Sequence, residues 1–324
     1  MTPSSRTRLG LIGKKNKIDI NRGNMNNKQQ NTILVPAQSK SYQLLDSGNG
    51  MKVERFGDNI IVRPDANCVW SPQAQKSVWA NVDAILEKTS DGKYTWEKKK
   101  SFKDLWTFTF DGRDQAIVFS LRLSSASKNL GIFPEQASNW QWMMNQIYTA
   151  GSGSKPSVLN LFGYTGGATL CAAAAGAKVC HVDASQAAVT WARANQTMSL
   201  LGGEPVRWIV DDCVDFVSRE IKRGVSYDAI ILDPPAFGRD QKGKVFEFEK
   251  QVQRLLGLCK QVLVPDPLFV IFNGYSMGYS ATVLKNLLGD FFPGKNIEFG
   301  ELHLQEKSGQ RTLPCSLYAR FGRE

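Results

Sequence analysis

The sequence predicts an α/β fold: a mostly parallel sheet with an antiparallel C-terminal hairpin, preceded by a small β-rich domain. Three observations predict it. Beyond residue 155, strand-sized apolar runs alternate with helix-length segments, the rhythm of a parallel sheet covered on both faces. Between residues 41 and 123 the apolar pattern has period two and is broken by turn signals. The last two runs, 297–304 and 314–321, are joined through Lys307-Ser308-Gly309-Gln310, as in a hairpin that closes the sheet edge.

Taken in order, residues 1–36 read as a disordered basic tail. Asn, Gln, Gly, Ser and Lys dominate its first 31 residues and no apolar periodicity is present. Arg6, Arg8, Lys14, Lys15, Lys17, Arg22 and Lys28 stand there against Asp19 alone, which leaves the rest of a chain of net charge +10 only mildly basic. Such a tail is a solvated segment, a phosphate contact or, in a eukaryote, an organelle-targeting signal, although no Arg-rich amphipathic helix stands out.

Residues 37–135 read as the β-rich domain. Asp46-Ser47-Gly48-Asn49-Gly50, Phe56-Gly57-Asp58-Asn59 and Asp111-Gly112-Arg113-Asp114 are turn signals, and 59–63 and 106–110 are hairpin strands between them. The run Lys98-Lys99-Lys100, between Trp96 and Phe102, is most simply a solvated strand face; alternatively its cations meet phosphates and its aromatics meet bases.

Residues 136–324 hold the main domain. A helix capped by Ser138 or Asn139 carries Trp140, Met143, Met144 and Ile147 at helical spacing, and 151–154 form a loop. Strands follow at 158–161, 178–182, 206–210, 227–232 and 268–272, with helices within 186–200 and 246–263.

Composition excludes several chemistries. The six cysteines (Cys68, Cys171, Cys180, Cys213, Cys259 and Cys315) form no C-x-x-C pair, so neither a disulfide framework nor a zinc cluster is signalled and a reducing, cytoplasmic setting is expected. Two histidines far apart, His181 and His303, leave little for a His-rich metal site or a Ser-His-Asp triad. No apolar run approaches the ~20 residues of a membrane-spanning helix, so no membrane partner is expected. The sequence leaves the oligomeric state open.

In a parallel sheet a nucleotide-like ligand lies beyond the strand carboxyl ends, at the first strand-to-helix turn. That turn is Leu161-Phe162-Gly163-Tyr164-Thr165-Gly166-Gly167-Ala168-Thr169, whose glycines allow tight turning and close backbone approach. Its spacing is not the dinucleotide pattern G-x-G-x-x-G, which weakens a nicotinamide-dependent oxidoreductase. Asp183 ends the second strand, where a carboxylate can accept from both hydroxyls of a ribose. Asp211-Asp212-Cys213 ends the third, where a carboxylate can accept from an adenine amino group and Cys213 can lie against the ring. Helix capping explains any one of these acids, but poorly all of them together. The fourth strand runs into Asp233-Pro234-Pro235-Ala236-Phe237, in which a carboxylate and free carbonyls can grip a planar nitrogen-bearing group while Phe237 stacks on it.

Leu159 to Gly167, His181-Val182-Asp183-Ala184-Ser185, Asp211-Asp212, and Asp233-Pro234-Pro235-Ala236-Phe237-Gly238 resemble successive motifs of the class I S-adenosylmethionine-dependent methyltransferases. Among these they look like the bacterial large-subunit ribosomal RNA methyltransferases, which include cytosine-C5 and guanine-N7 enzymes. Gly131-Ile132-Phe133-Pro134-Glu135-Gln136 resembles that family's segment ahead of the catalytic domain, so the likeness runs over residues 40–324. The resemblance implies a Rossmann-like class I methyltransferase sheet, S-adenosylmethionine as cofactor and RNA, ribosomal above all, as partner. It implies cofactor contacts from Phe162, Gly163, Thr165, Gly166, Asp183, Ser185 and Asp212, and the same turn and strand ends add Asn160, Tyr164, Gly167 and Cys213 to the expected cofactor site. Some relatives carry an added RNA-binding domain of the PUA type, for which the low-complexity start leaves no room.

Methylation at a pyrimidine carbon needs a cysteine thiolate. Cytosine-modifying relatives carry one after the fifth strand, where this chain reads Phe272-Asn273-Gly274-Tyr275-Ser276, and Cys259 lies in a leucine-rich helix as a core residue. The expected acceptor is therefore a ring or exocyclic nitrogen, on guanine or adenine, oriented by Asp233, Pro234, Pro235 and Asn273 with Phe237 stacked. Glu135 and Gln136 either reach over the site or hold the two domains together. Methylation of a protein or small molecule, and cofactor binding without catalysis, are the competing readings.

Overall fold

The computed structural model describes residues 30–323 apart from 90–91, 100–101, 103–105, 125–127, 152–154, 240–242 and 276–277. The chain enters as a short strand, β1 (Asn31–Leu34). A five-stranded sheet follows, from β2 (Tyr42–Gly48), β3 (Met51–Phe56), β4 (Asn59–Pro64), β5 (Ala84–Lys88) and β6 (Tyr94–Lys98), with the short helix α1 (Lys76–Ala80) between β4 and β5. A hairpin, β7 (Trp106–Asp111) and β8 (Ala116–Leu121), leads through a 3-10 turn (Pro134–Gln136) into α2 (Ala137–Thr149).

The main sheet then builds by alternation: β9 (Ser157–Leu161), α3 (Gly167–Ala174), β10 (Lys178–Asp183), α4 (Gln186–Met198), β11 (Val206–Val210), α5 (Cys213–Lys222) and β12 (Ala229–Leu232). A two-stranded flap, β13 (Phe237–Arg239) and β14 (Val245–Glu247), interrupts before α6 (Phe248–Val262), β15 (Phe269–Gly274), α7 (Ala281–Phe291), β16 (Glu298–Gln305) and β17 (Thr312–Gly322). The spatial order is β1-β16-β17-β15-β12-β9-β10-β11. Strands β9 to β12 and β15 pair in parallel, and β17 runs antiparallel between β15 and β16. The order reverses beside β9, so a crevice opens at the carboxyl ends of β9, β10, β11 and β12, where such sheets bind ligands.

Period-two alternation explains why the central strands are apolar along their length. Ala229, Ile231, Phe269 and Ile271 point to one face, and Ile230, Leu232, Val270 and Phe272 to the other, against α5, α6 and α7. The first face is shared: its core runs through α2 and α3 into β7, β8 and residues Leu44, Phe56 and Ile61 of the N-terminal sheet.

Several elements differ from the sequence expectation. Residues 1–29 of the basic tail lie outside the described residues, but 31–34, expected in that tail, form β1 and pair in parallel with β16. The C-terminal hairpin is therefore not the sheet's last member; β1 is. A strand of four residues bordered by polar sequence carries too little periodicity to be read without its partner. Helix α2 starts at Ala137, directly from the 3-10 turn and without a side-chain cap, so neither Ser138 nor Asn139 caps it. Trp140, Met143, Met144 and Ile147 are buried as expected. The aromatics beside the lysine run turn inward: Trp96 packs on the core and donates Nε1–H to the Ser124 carbonyl at 3.0 Å, and Phe102 meets Trp106 edge-on at 4.6 Å. Lys98 and Lys99 are exposed; Lys100 and most of the 151–154 loop lie outside the described residues.

Candidate active site

The turn after β9 is folded by alternation of left-handed residues: Phe162 (φ 58°), Tyr164 (φ 48°) and Gly166 (φ 90°). Two non-glycine residues in this region store strain, which persists only where neighbours fix them. The fixing contacts are visible. The Thr165 hydroxyl donates to the Gly131 carbonyl at 2.6 Å, and the Asn195 amide donates to the Thr165 carbonyl at 3.0 Å. Gly163 is required by contact, since a Cβ there would stand 2.4 Å from Cε1 of His181; Gly167 likewise lies against Trp140. His181 is wholly buried and bonds Thr169 through Nδ1 at 2.8 Å, and Asn160 donates to the same Thr169 hydroxyl at 2.8 Å. Burial drives the His181 pKa down to about 3, so the ring is neutral.

A cavity of about 330 Å³ lies against this turn, lined by Phe162, Tyr164, Asp183, Ser185, Asp212, Cys213, Asp233, Pro234 and Pro235. Asp183 accepts the backbone N–H groups of Tyr164 and Ser185, each at 2.8 Å, which fixes its carboxylate at the cavity wall. Its burial nevertheless holds the pKa above the ordinary value. Asp212 caps α5 by accepting from the Asp215 N–H at 2.9 Å, and Lys244 of the flap binds it at 2.9 Å and Asp215 at 2.8 Å. The Ser185 hydroxyl caps α4, and the Cys213 side chain is buried in the core beneath the cavity. A smaller cavity of about 60 Å³ lies beside the same turn, lined by Gln136, Asn160, Gly163, Thr165, Gly167 and Asn273 and sharing Phe133, Phe162, Tyr164 and Asp233 with the first. Gly166 itself lines neither, being turned toward Ala192.

Asp233 thus borders both cavities, at the end of β12. Burial, and then the nearby charge of Glu135, raise its pKa to about 7. Glu135, only 2% exposed, accepts a 2.7 Å hydrogen bond from the Tyr275 hydroxyl, and burial pushes its carboxyl up as well, against Lys52, that hydroxyl and Arg63. A chain of hydrogen bonds runs from the half-exposed Glu298 to Asn273. Glu298 pairs with Arg320 at 2.9 Å, Arg320 donates to Asn139 at 2.9 Å, and the Asn139 amide donates to Asn273 at 2.9 Å and to Gln136 at 3.1 Å. Asn273 is thereby held with its carbonyl oxygen engaged.

Phe237 does not join this group. It is 59% exposed and lines neither cavity, because pairing in β13 turns it away while Gly238 packs toward Pro235. The aromatic wall comes instead from Phe133, Tyr164 and Tyr275, with Phe133 at 5.1 Å from the Tyr275 ring centre and 5.8 Å from that of Tyr164. Sequence reasoning does not assign Phe133 and Tyr275 to the site, although each lies within a segment that it singles out. Cys259 lies on the buried face of α6 and burial raises its thiol pKa. Among the described residues no group of three His, Cys, Asp or Glu can hold a metal ion, and no helix is long and apolar enough to cross a membrane.

Residues 98–284 match the family model described as S-adenosylmethionine-dependent methyltransferase. The crystal structure of the SAM-dependent methyltransferase from Agrobacterium tumefaciens superposes with a TM-score of 0.85 at 37% identity, covering 90% of this chain and 94% of that one. The ribosomal RNA large subunit methyltransferase K/L of Shewanella sp. (strain MR-4) is 34% identical over 119 residues, 36% of this chain and 17% of that protein. Its counterpart in Desulfotalea psychrophila is 31% identical over 159 residues, 48% of this chain and 21% of that protein. The matched stretch thus spans about a fifth of these curated relatives.

Proposed function

The chain belongs to the S-adenosylmethionine-dependent methyltransferase family, and from that premise we propose that it methylates a nitrogen of an RNA base, ribosomal RNA being the substrate class. The cofactor is S-adenosylmethionine, which when bound supplies an electrophilic methyl group on a sulfonium. The polar lining of the cavity suits it: the Asp183 carboxylate to accept from ribose hydroxyls, Asp212 to accept from the adenine amino group, and the turn at Phe162, Gly163 and Tyr164 toward the remainder.

One observation carries the proposal. The Asp233-Pro234-Pro235 corner and the two carboxylates suited to the adenosyl group line a single cavity together with Phe133, Tyr164 and Tyr275. In this reading a base enters against Phe133 and Tyr275, and Asp233 accepts from its amino group. Asn273 braces the corner, and reaction follows chiefly from positioning. Described residues that line the cavity include no ionisation-prone cysteine, Cys213 being buried with its thiol pKa raised well above the ordinary value, and this favours nitrogen over a pyrimidine carbon. The names of the K/L relatives favour ribosomal RNA, and with it a cytoplasmic site of action.

The test is to incubate the full chain with methyl-labelled cofactor and separate pools of ribosomal RNA, transfer RNA and protein, then digest the labelled RNA to nucleosides. An N-methylated purine in ribosomal RNA is expected. Label confined to protein, or 5-methylcytosine as sole product, would overturn the reading.

A further inference from the structure

Three elements bring three ionisable groups together behind the transfer centre: Asp233 after β12, Glu135 in the 3-10 turn and Tyr275 after β15. Tyr275 lines the larger cavity with Asp233, while its hydroxyl donates to the buried Glu135 carboxylate at 2.7 Å. Tyr275 also lines the pocket that Glu135 borders, so one side chain adjoins both carboxyl groups; two carboxyls placed so do not readily ionise together, and the neighbours decide which keeps the proton. Lys52 and Arg63 stand on the Glu135 side, Lys52 paired with Asp65 at 3.1 Å and Arg63 with Glu54 at 3.0 Å. On the Asp233 side, Asp183 lines the same cavity, and of the flap cations that border it Lys244 is bound to Asp212 and Asp215 while Arg239 is exposed. Cationic support and a hydroxyl donor thus favour ionised Glu135, and leave the proton to Asp233.

Resting on the reading that a base nitrogen receives the methyl group here, we propose that Glu135 is a positioning residue of the transfer centre. Held ionised by Tyr275, it sets the pH at which Asp233 can take the proton released by an amino acceptor. The balance is simple. The nitrogen–carbon bond forms as the sulfur–carbon bond breaks, with that electron pair remaining on sulfur. The amino nitrogen then gives one proton to the Asp233 carboxylate, which returns it to water.

With Asp233 poised at about 7, transfer switches on as pH rises through neutrality. Removing the Glu135 charge makes Asp233 a stronger acid and a weaker base. The experiment follows carbon-13-labelled aspartate carboxyls by NMR in the full chain bound to S-adenosylhomocysteine, with the Asp233 signal assigned by Asp233→Asn, alongside the pH dependence of kcat. Glu135→Gln is expected to move both titrations down by about one pH unit, whereas Glu135→Asp, which keeps the charge, restores them toward wild type. If Glu135→Gln does not fold, Tyr275→Phe is read in its place and is expected to move them in the same direction. A variant that lowers kcat but leaves the Asp233 titration where it was would reduce Glu135 to a structural role and overturn the proposal. The NMR measurement needs no RNA, so an inactive RNA assay would count against the substrate and not against this coupling.

Discussion

Asp233 keeps its proton up to a pH of about 7, where an unfolded aspartate has lost it near 3.8. The stability this carboxyl contributes is therefore present below pH 3.8 and is lost as pH rises toward 7. An Asp233→Asn variant is therefore expected to be more stable than wild type at pH 8, by about 1–2 kcal/mol in urea unfolding, a gain of the kind released when a strained functional group is removed. The same variant should lose methyl transfer by at least ~100-fold while still binding the cofactor, since general-base groups are worth about that much. His181 acts with the opposite charge type and at a different pH. Its pKa is depressed from 6.5 to about 3, so the stability it contributes is whole above 6.5 and drains away as pH falls toward 3. The slope is ~1.4 kcal/mol per pH unit. Replacing it with Gln should flatten the fall of the urea midpoint between pH 6 and pH 4.5, and an unchanged fall would mean that the ring is not buried as described.

The turn after β9 depends on contacts at single-atom range. Gly163→Ala would push a methyl group into the His181 ring, and an overpacked core site costs about 1–3 kcal/mol. Because the turn shapes both cavities, cofactor affinity measured by calorimetry should fall along with the melting temperature; a drop in melting temperature alone would separate the turn from binding. This element is also among the most legible in the sequence. Asp183, Asp212 and Asp233 each follow an apolar run, so their position at strand ends can be read from pattern, and the glycines mark the turn between them. What the pattern does not supply is rotation and distance. Phe237 stands two residues past Pro235, and whether it faces in or out depends on pairing with residues 245–247, which leaves no local signature. Glu135 and Tyr275 lie 140 residues apart in sequence, and nothing in either segment announces a hydrogen bond between them. Thr165 and Ser185 read as cofactor contacts from their position in motifs, yet their hydroxyls are engaged by Gly131 and by the α4 cap.

At the scale of the whole chain, the sheet's outermost strand is β1, with alternating half-buried and exposed residues on β16. Deleting residues 1–35 would bare the β16 edge, and unpaired edges recruit other chains. The shortened protein is expected to aggregate on heating at concentrations where the full chain stays monodisperse in light scattering. The N-terminal sheet, the β7–β8 hairpin and the main sheet also share one apolar core, from Leu44 and Phe56 through Phe119 and Trp140 to Ile231 and Phe269 on the central strands. Two regions joined so cannot melt apart without wetting the same side chains. Heat should accordingly give one calorimetric endotherm whose van't Hoff enthalpy equals the measured one, and the catalytic half, cut free at residue 136, should be unable to refold as an independent unit.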